Sequence, residues 1–546
     1  MTGYMQDKPV NIVSILQHAA EWHGQQLVVT NTVEGNVHRQ TYAETLQRAT
    51  KLASKLAELG IKAGDRIGTM AWNTHRHLEA WYAISGQGLV CHTINPRLFP
   101  DQIEFIVNHA EDRVLFVDLT FVELLGTLLP KLPSVRTVII MTDGEHMPDT
   151  SSWSVPEVFC YEDFLAKGSS EFDWPVLSED EGSSLCYTSG TTGEPKGVMY
   201  THRSNLLHAW AACGTDCFAI GAAETVLMVV PMFHANSWGL AYAAPMVGAK
   251  LVLPGPHMDG ASIHGLIEEE LVTKAAAVPT IWNMLIGYLN DSGKTLPSLR
   301  EVVIGGAAVP RSMIQDFDDK YNVTVIHAWG MTETSPIGTV NRPKPFFDAL
   351  NREDKLDLRI KQGRPIYGID LKIVDDEGNA LPNDGERFGR LMCKGPWVVQ
   401  RYFKAAEDAL ENGWFDTGDV ATIDQHGYMQ ITDRAKDVIK SGGEWISSAD
   451  LENAAIAHPA VAMAACIGAT HPKWDERPIL LIKLADGADM PSLDKIRNHL
   501  SQTFAKWQLP DAVIEVDEIP LTATGKIDKK PLRVIFQDHL LKMLRA

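Results

Sequence analysis

Short β-rich runs alternate with amphipathic helical stretches through the first two thirds of the chain, and this alternation limits the possible folds. The runs carry few charges and are rich in Val, Ile and Leu, which is typical of strands buried on both faces. They cover residues 114–117, 137–140, 226–230, 250–253 and 302–304. Helices placed between successive strands allow parallel pairing, so the pattern predicts an α/β fold with largely parallel sheets.

The local patterns also indicate where elements end. Residues 42–59 form an amphipathic stretch that ends at Gly60, which predicts a helix stopped by a left-handed glycine. From about residue 365 the pattern changes to short strands separated by turns such as Asp376-Glu377-Gly378-Asn379. These turns predict a small antiparallel or barrel-like section.

Charged residues are distributed unevenly along the chain. The whole chain of 546 residues has 49 Lys+Arg and 69 Asp+Glu, a net charge of −20, which argues against a nucleic-acid partner. Residues 434–546 hold 15 basic and 15 acidic residues, so the acidic excess lies entirely before residue 434. We therefore expect a domain boundary near residue 433.

The sequence also predicts a cytoplasmic location. It has no apolar run of the roughly 18 to 20 residues that a transmembrane helix needs. The N-terminal region lacks the charged, apolar and small-residue pattern of a secretion signal. The 7 cysteines are scattered without a Cys-x-x-Cys pair, which favours reduced thiols over disulfides or a zinc site.

The stretch Tyr187-Thr188-Ser189-Gly190-Thr191-Thr192-Gly193-Glu194-Pro195-Lys196-Gly197 has the composition of a phosphate-binding loop. Its hydroxyls, glycines and lysine provide many donors for an anion. The spacing is not that of a P-loop, because Pro195 stands where that motif needs glycine, and the chain has no Gly-x-Gly-x-x-Gly. Composition alone is equally compatible with an ordinary surface loop.

Five further motifs follow this loop. They occupy residues 328–333 (AWGMTE), 414–419 (WFDTGD), 433–437 (DRAKD), 440–447 (KSGGEWIS) and 520–527 (PLTATGKI). In this order they resemble the motifs of the adenylate-forming enzymes, and the resemblance extends over nearly the whole chain. Within that family the chain resembles bacterial medium- and long-chain fatty acid:CoA ligases and 3-methylmercaptopropionate:CoA ligases.

The resemblance implies an α/β fold with two domains. Residues 1–432 would form a large N-terminal domain of parallel-rich sheets layered with helices, with a small β-barrel-like section. Residues 433–546 would form a small, mobile α+β C-terminal domain that rotates about a hinge at Asp433. Element-terminal residues of this kind are common hinge positions.

The resemblance also implies that ATP and a carboxylic acid form an acyl-adenylate with Mg²⁺. The catalytic groups would be Lys526, Glu333 and Thr188, of which Thr188 and Glu333 would hold the metal. A metal and cations are needed because two anions must meet. The implied phosphate and adenine contacts are Ser189, Gly190, Thr191, Thr192, Lys196, Gly306, Ala307, His327, Ala328, Trp329 and Thr332. Most members have Tyr where this chain has Trp329, which leaves the packing around adenine open.

Other implied residues serve the ribose and the second step, in which CoA attacks the acyl carbon. Asp419 would accept from both ribose hydroxyls. The implied nucleotide contacts of the C-terminal region are Arg434, Lys436, Lys440 and Trp445. Lys440, Gly442 and Gly443 would contact CoA, because glycines let backbone approach the pantetheine arm.

The acyl substrate is the least determined part. Residues 231–239 resemble the segment that lines the fatty acid channel, and Trp238 is similar to a gating tryptophan, although it could equally fill the core. His234 stands where amino-acid-activating relatives have Asp, which disfavours an amino acid. We expect a medium-chain fatty acid:CoA ligase; the alternatives are 3-methylmercaptopropionate or an aryl acid as substrate, or an acyl-AMP ligase that loads a carrier protein. The enzyme could be a homodimer.

Overall fold

The structure is a computed structural model that describes residues 5, 6, 8–188, 194–434, 436–441, 444–485, 487–521 and 527–545, the side chains of 444, 445, 544 and 545 excepted. The described residues group into two compact units. Of the described residues, unit 1 takes in those up to 188 together with 194–370 and 394–415, and unit 2 takes in 371–393 and those between 416 and 545. The functional division at Asp433 stays a prediction.

The helices are spread along the chain. They are α1 (Ile12–Trp22), α2 (Tyr42–Glu58), α3 (His75–Gly86), α4 (Pro100–Ala110), α5 (Val122–Leu128), α6 (Tyr161–Ala166), α7 (His202–Cys213), α8 (Leu240–Val247), α9 (Gly260–Glu270), α10 (Pro279–Ser292), α11 (Arg311–Tyr321), α12 (Arg352–Arg359), α13 (Ser448–Ile456), α14 (Leu493–Leu500), α15 (Lys529–Phe536) and α16 (His539–Arg545). None of these described helices combines the length and apolar character needed to cross a membrane.

The strands before residue 366 belong to unit 1. They are β1 (Leu27–Asn31), β2 (Val37–Thr41), β3 (Arg66–Met70), β4 (Val90–Thr93), β5 (Val114–Val117), β6 (Thr137–Ile140), β7 (Glu157–Cys160), β8 (Gly182–Tyr187), β9 (Gly197–Thr201), β10 (Thr225–Met228), β11 (Lys250–Leu253), β12 (Lys274–Ala277), β13 (Glu301–Ile304), β14 (Thr324–Gly330), β15 (Ile337–Val340) and β16 (Arg364–Pro365).

The later strands include the three long strands β20, β24 and β25. They are β17 (Asp370–Val374), β18 (Gly389–Lys394), β19 (Leu410–Glu411), β20 (Trp414–Ile423), β21 (Met429–Arg434), β22 (Ile439–Ser441), β23 (Glu444–Ile446), β24 (Val461–His471), β25 (Asp475–Leu484) and β26 (Ala512–Glu515).

Unit 1 contains two parallel-rich sheets. The seven-stranded sheet has the order β7-β6-β5-β3-β4-β8-β9, and only its last pair, β8 with β9, is antiparallel. The nine-stranded sheet has the order β16-β15-β14-β13-β12-β10-β11-β1-β2, with a parallel centre and antiparallel pairs at both edges. The predicted runs are confirmed as β5, β6, β10, β11 and β13, with end shifts of up to two residues.

The helix predicted for residues 42–59 is confirmed as α2. It begins after Thr41, whose side chain accepts from the backbone N–H of Glu44 while the Glu44 carboxylate accepts from the Thr41 N–H. This reciprocal pair satisfies donors that a helix start leaves open. Gly60 follows with φ +68°, which is the predicted left-handed stop.

The remaining strands form two five-stranded sheets. In one, the order is β17-β18-β20-β19, and β21 also pairs with β20. In the other, which belongs to unit 2, the order is β23-β22-β25-β24, and β26 pairs with β25. Helices α13 and α14 pack their apolar residues on one face of this second sheet, and α15 and α16 pack on the other. The predicted fold class is confirmed.

One buried side chain joins the two sheets of unit 1 at the carboxyl ends of their strands. Asn73 follows β3 and is fully buried. Its Nδ2 donates to the carbonyls of Met228 and Val230 at 2.7 and 2.8 Å, and its Oδ1 accepts from Met232 N at 2.6 Å. Three backbone groups that leave β10 are therefore satisfied by one side chain.

We expect Asn73→Asp to destabilise the protein by about 3 kcal/mol, because the isosteric carboxylate lacks both N–H donors of Nδ2 and turns one oxygen toward two carbonyls. Urea unfolding measures the change. The matched control is Asn290→Asp at an exposed position, which should stay within about 0.5 kcal/mol of the parent. Equal effects of the two substitutions would contradict the bridging role.

Candidate active site

The predicted phosphate loop connects two antiparallel neighbours, β8 and β9. Its ends are held together, because Thr188 N donates to the Lys196 carbonyl at 2.9 Å and Lys196 N donates to the Thr188 hydroxyl at 3.3 Å. The Lys196 side chain is exposed, and its Nζ lies 4.8 Å from the centre of the Tyr402 ring. Four predicted contacts of this loop lie outside the described residues: Ser189, Gly190, Thr191 and Thr192.

The second predicted metal ligand, Glu333, lies in a single 3₁₀ turn, residues Thr332–Thr334, between β14 and β15. We call this the acidic turn. Glu333 is 7% exposed, and its Oε1 accepts from the Tyr402 hydroxyl at 2.9 Å. The Tyr200 hydroxyl on β9 donates to the Thr332 carbonyl at 2.6 Å. Tyr200 and Tyr402 therefore bring the acidic turn beside the end of the phosphate loop.

The predicted adenine contacts lie on two neighbouring parallel strands. Gly306 and Ala307 follow β13 and are exposed, and Gly306 has φ +79°. His327, on β14, is 1% exposed, and its Nδ1 is 2.9 Å from the Ile360 carbonyl. Burial lowers the pKa of His327 to about 4. The His327 ring is therefore a neutral, buried group, whereas the Gly306 side of this segment is open.

Trp329 lies on β14, two residues after His327, and packs against the neighbouring strand β15. Its side chain is 7% exposed and lies against Gly338 of the antiparallel β15. A Cβ added at Gly338 would be 2.3 Å from Cζ3 of Trp329, so any side chain there would overlap the indole. The absence of a side chain at Gly338 thus leaves room for the indole of Trp329, which is larger than the ring of Tyr. Ala328, the neighbouring predicted contact, is also buried.

The predicted acyl segment, residues 231–239, contains one turn of left-handed backbone. Ala235, Asn236, Ser237, Trp238 and Gly239 all have positive φ, from 43° to 77°. For L-residues this conformation is unfavourable by about 1–2 kcal/mol each, and such strain is concentrated at functional sites. His234, which precedes the turn, is exposed.

Buried hydrogen bonds hold this left-handed turn in place. The Asn236 amide donates to Asn205 Oδ1 at 2.9 Å, and the Ser237 hydroxyl donates to the Val230 carbonyl at 2.6 Å. Trp238 is 7% exposed, and its ring lies beside Gly305, where an added Cβ would be 3.1 Å from Cη2. Trp238 of the predicted acyl segment therefore lies beside the residue that directly precedes the predicted adenine contact Gly306.

His208 is a buried residue of this region that the sequence analysis did not single out. Its Nε2 accepts from Ile337 N at 3.1 Å, and its ring fills the space beside Gly239, where a Cβ would lie 2.5 Å from Nδ1. His208 thus supports the end of the acyl segment and the start of β15. No local signal indicates this role, because its partner is 129 residues away.

The predicted residues of unit 2 include a ribose ligand and the hinge. Asp419 is 2% exposed and its Oδ1 is 3.0 Å from Nε of Arg434, its partner in the β20–β21 pair. Asp433 is also buried, and its Oδ2 accepts from N and Oγ of Ser448 at 2.5 and 2.6 Å. Burial raises the pKa of Asp433.

The predicted nucleotide contacts Lys436 and Lys440 lie on the surface of unit 2. Lys436 and Lys440 are exposed, and Lys440 Nζ pairs with Asp376 at 3.1 Å. Gly442, Gly443 and Lys526 lie outside the described residues, as does the side chain of Trp445.

Residues 16–403 match the profile of the AMP-binding enzyme family, and residues 450–526 match that of the AMP-binding enzyme C-terminal domain. The chain belongs to the AMP-binding enzyme family. The predicted resemblance to adenylate-forming enzymes is therefore confirmed.

Two relatives in the AMP-binding enzyme family are each 49% identical to this chain. The 3-methylmercaptopropionyl-CoA ligase of Ruegeria lacuscaerulensis aligns over 99% of this chain and 100% of the relative. The medium-chain-fatty-acid–CoA ligase of Ectopseudomonas oleovorans aligns over 99% of both. A solved anthranilate CoA ligase in complex with anthranoyl-AMP has a TM-score of 0.82 at 25% identity and covers 97% of this chain and 99% of that chain. The predicted class, AMP-forming acid:CoA ligase, is confirmed.

The buried His208 predicts a pH dependence of stability. Burial lowers the pKa of His208 from the ordinary value of 6.5 to about 3. The unfolded chain therefore takes up this proton first, and stability present above pH 6.5 is lost as the pH falls. Between pH 7 and pH 5 the loss from this group is about 2 kcal/mol. Urea unfolding of His208→Gln, which has no imidazole to protonate, should show a decrease smaller by that amount; an unchanged decrease would contradict the assignment.

Proposed function

We propose that this acid:CoA ligase acts on medium-chain fatty acids. The observation that carries the proposal is the 49% identity to the medium-chain-fatty-acid–CoA ligase over 99% of both chains. The acyl segment supports it, because His234 replaces the Asp expected for an amino-acid substrate and the buried neighbours Phe233 and Trp238 are apolar. An uncharged tail fits such surroundings.

A second candidate substrate is 3-methylmercaptopropionate. Its support is that the Ruegeria ligase of that name has the same 49% identity. Discrimination by chain length is weak, because a methylene contributes only about 1–3 kcal/mol in a hydrophobic pocket. The two candidate substrates would therefore require pockets of different depth but undergo the same reaction.

In the proposed first step, a carboxylate oxygen attacks the α-phosphorus of ATP and the bond to pyrophosphate breaks. Lys196 and the phosphate loop bind the pyrophosphate side, and Lys526 orients the carboxylate against the α-phosphate. Thr188 and Glu333 fit Mg²⁺, because oxygen ligands in small number, completed by phosphates and water, suit this ion. Among the described residues no cluster of three His, Cys, Asp or Glu offers a richer cage. When bound, Mg²⁺ neutralises charge that develops on the phosphates.

In the proposed second step, the CoA thiol attacks the acyl carbon and AMP leaves. Asp419 holds the ribose throughout. Rotation about Asp433 withdraws Lys526 and presents Lys440, Gly442 and Gly443 to CoA. A cytoplasmic location and a homodimer also remain proposals.

The substrate proposal predicts the outcome of an acid panel. Purified protein with ATP, Mg²⁺ and CoA is given acids from butyrate to palmitate, 3-methylthiopropionate and benzoate, and acyl-CoA is measured by mass spectrometry. We expect the highest kcat/KM near octanoate. A maximum at 3-methylthiopropionate would select the second candidate. Product formed on a carrier protein but never on CoA would contradict the CoA ligase assignment and favour an acyl-AMP ligase.

The two half-reactions should separate in Lys526→Ala. We expect at least about 100-fold slower acyl-AMP formation, because a charge that stabilises the reacting phosphate is removed. Thioester formation from supplied acyl-AMP should continue near the parent rate. Lys530→Ala, which removes an exposed lysine four positions later, is the matched control. Equal loss of both steps in Lys526→Ala would contradict its assigned role.

A further inference from the structure

Residues 397–403 form a brace that touches both the acidic turn and the strand after the phosphate loop. Val399 N donates to the Glu333 carbonyl at 2.7 Å, and the Ser335 hydroxyl donates to the Trp397 carbonyl at 2.7 Å. At its other end, Phe403 N donates to the Gly197 carbonyl at 2.8 Å. One short segment thus fixes the distance between two parts of the predicted ATP site.

Tyr402 is the residue of this brace whose side chain contacts two predicted site residues. Its hydroxyl is 2.9 Å from Oε1 of Glu333, and its ring faces Nζ of Lys196 at 4.8 Å from the ring centre. We propose that Tyr402 is a positioning residue that orients the Glu333 carboxylate for the metal and the Lys196 ammonium for the phosphates of ATP. The inference rests on the proposed roles of Glu333 and Lys196.

The direction of the hydrogen bond follows from the chemistry of the two groups. A carboxylate oxygen can only accept, so the Tyr402 hydroxyl donates its proton to Oε1 of Glu333. A carboxylate that accepts a bond at one oxygen cannot rotate freely about its terminal bond. Removal of a residue that bonds to a metal ligand in this way typically lowers metal affinity 10- to 100-fold.

In this proposal the Tyr402 hydroxyl acts on the metal through Glu333, and the Tyr402 ring acts on the phosphates of ATP through Lys196. The Glu333 contact needs the hydroxyl alone, whereas the Lys196 contact needs the electron-rich ring face. A cation held over a ring at an exposed site contributes about a two- to fivefold change in binding. Replacement of the hydroxyl should therefore affect the metal, and replacement of the whole ring should affect the metal and the phosphates together.

The test is metal and nucleotide binding by the full chain. The probes are MnCl₂ and the non-hydrolysable analogue α,β-methylene-ATP, with free Mn²⁺ followed by electron paramagnetic resonance. For Tyr402→Phe we expect Mn²⁺ affinity in the ternary complex to fall about tenfold, while metal-free analogue binding stays unchanged. For Tyr402→Leu, metal-free binding should also weaken, by about two- to fivefold.

Two reference variants separate the possible failures. Tyr82→Phe is the matched control, because it removes another buried hydroxyl of unit 1, which donates to the Ala241 carbonyl at 2.9 Å. It should leave Mn²⁺ affinity unchanged. Glu333→Gln tests the proposed metal site itself. If Glu333→Gln weakens Mn²⁺ binding and Tyr402→Phe does not, the positioning role is overturned; if Glu333→Gln has no effect, the proposed metal site fails instead.

Discussion

Backbone that leaves a parallel strand must find new hydrogen-bond partners, and in unit 1 buried polar side chains provide them. Asn73 satisfies three backbone groups at and just after the end of β10, and Asn236 and Ser237 hold the left-handed turn of the predicted acyl segment. His208 satisfies the first N–H of β15. An unsatisfied buried group destabilises a protein by about 1–3 kcal/mol, so these contacts allow irregular segments at the strand ends. Those segments carry the predicted acyl and nucleotide residues.

The sequence predicts elements better than it predicts neighbours, for a physical reason. Strand runs such as residues 114–117 and the helix that stops before Gly60 depend on periodicity and on one glycine, which are local. The pairing of His208 with Ile337 depends on contacts across 129 residues, which no local pattern encodes. Trp329 shows the intermediate case: the substitution is visible in the sequence, but Gly338, which accommodates the ring, is recognised only once β14 and β15 are paired.

The sequence likewise predicts some residues of the candidate site and misses others. Motif order predicts Glu333, Lys196 and Asp419, because the resemblance attaches roles to those motifs. It does not predict Tyr402, which lies outside the quoted motifs and gains its importance from touching two of them. The predicted hinge residue, Asp433, differs from a solvated linker residue, because it is 4% exposed and accepts hydrogen bonds from Ser448 at the start of α13. These bonds tie its side chain to residues that follow it in the chain.

This arrangement constrains the proposed rotation within unit 2. Among the described residues, the ion pairs of Arg434 with Asp419 and of Lys440 with Asp376 join residues after Asp433 to residues before it. The Lys440 pair is about half exposed on both sides, and pairs of this kind contribute roughly 0–1 kcal/mol, so its separation opposes rotation little. The Arg434 pair matters more, because Asp419 is buried. A rotation that moved Arg434 would therefore change the charge beside the buried Asp419 carboxylate, the proposed ribose ligand.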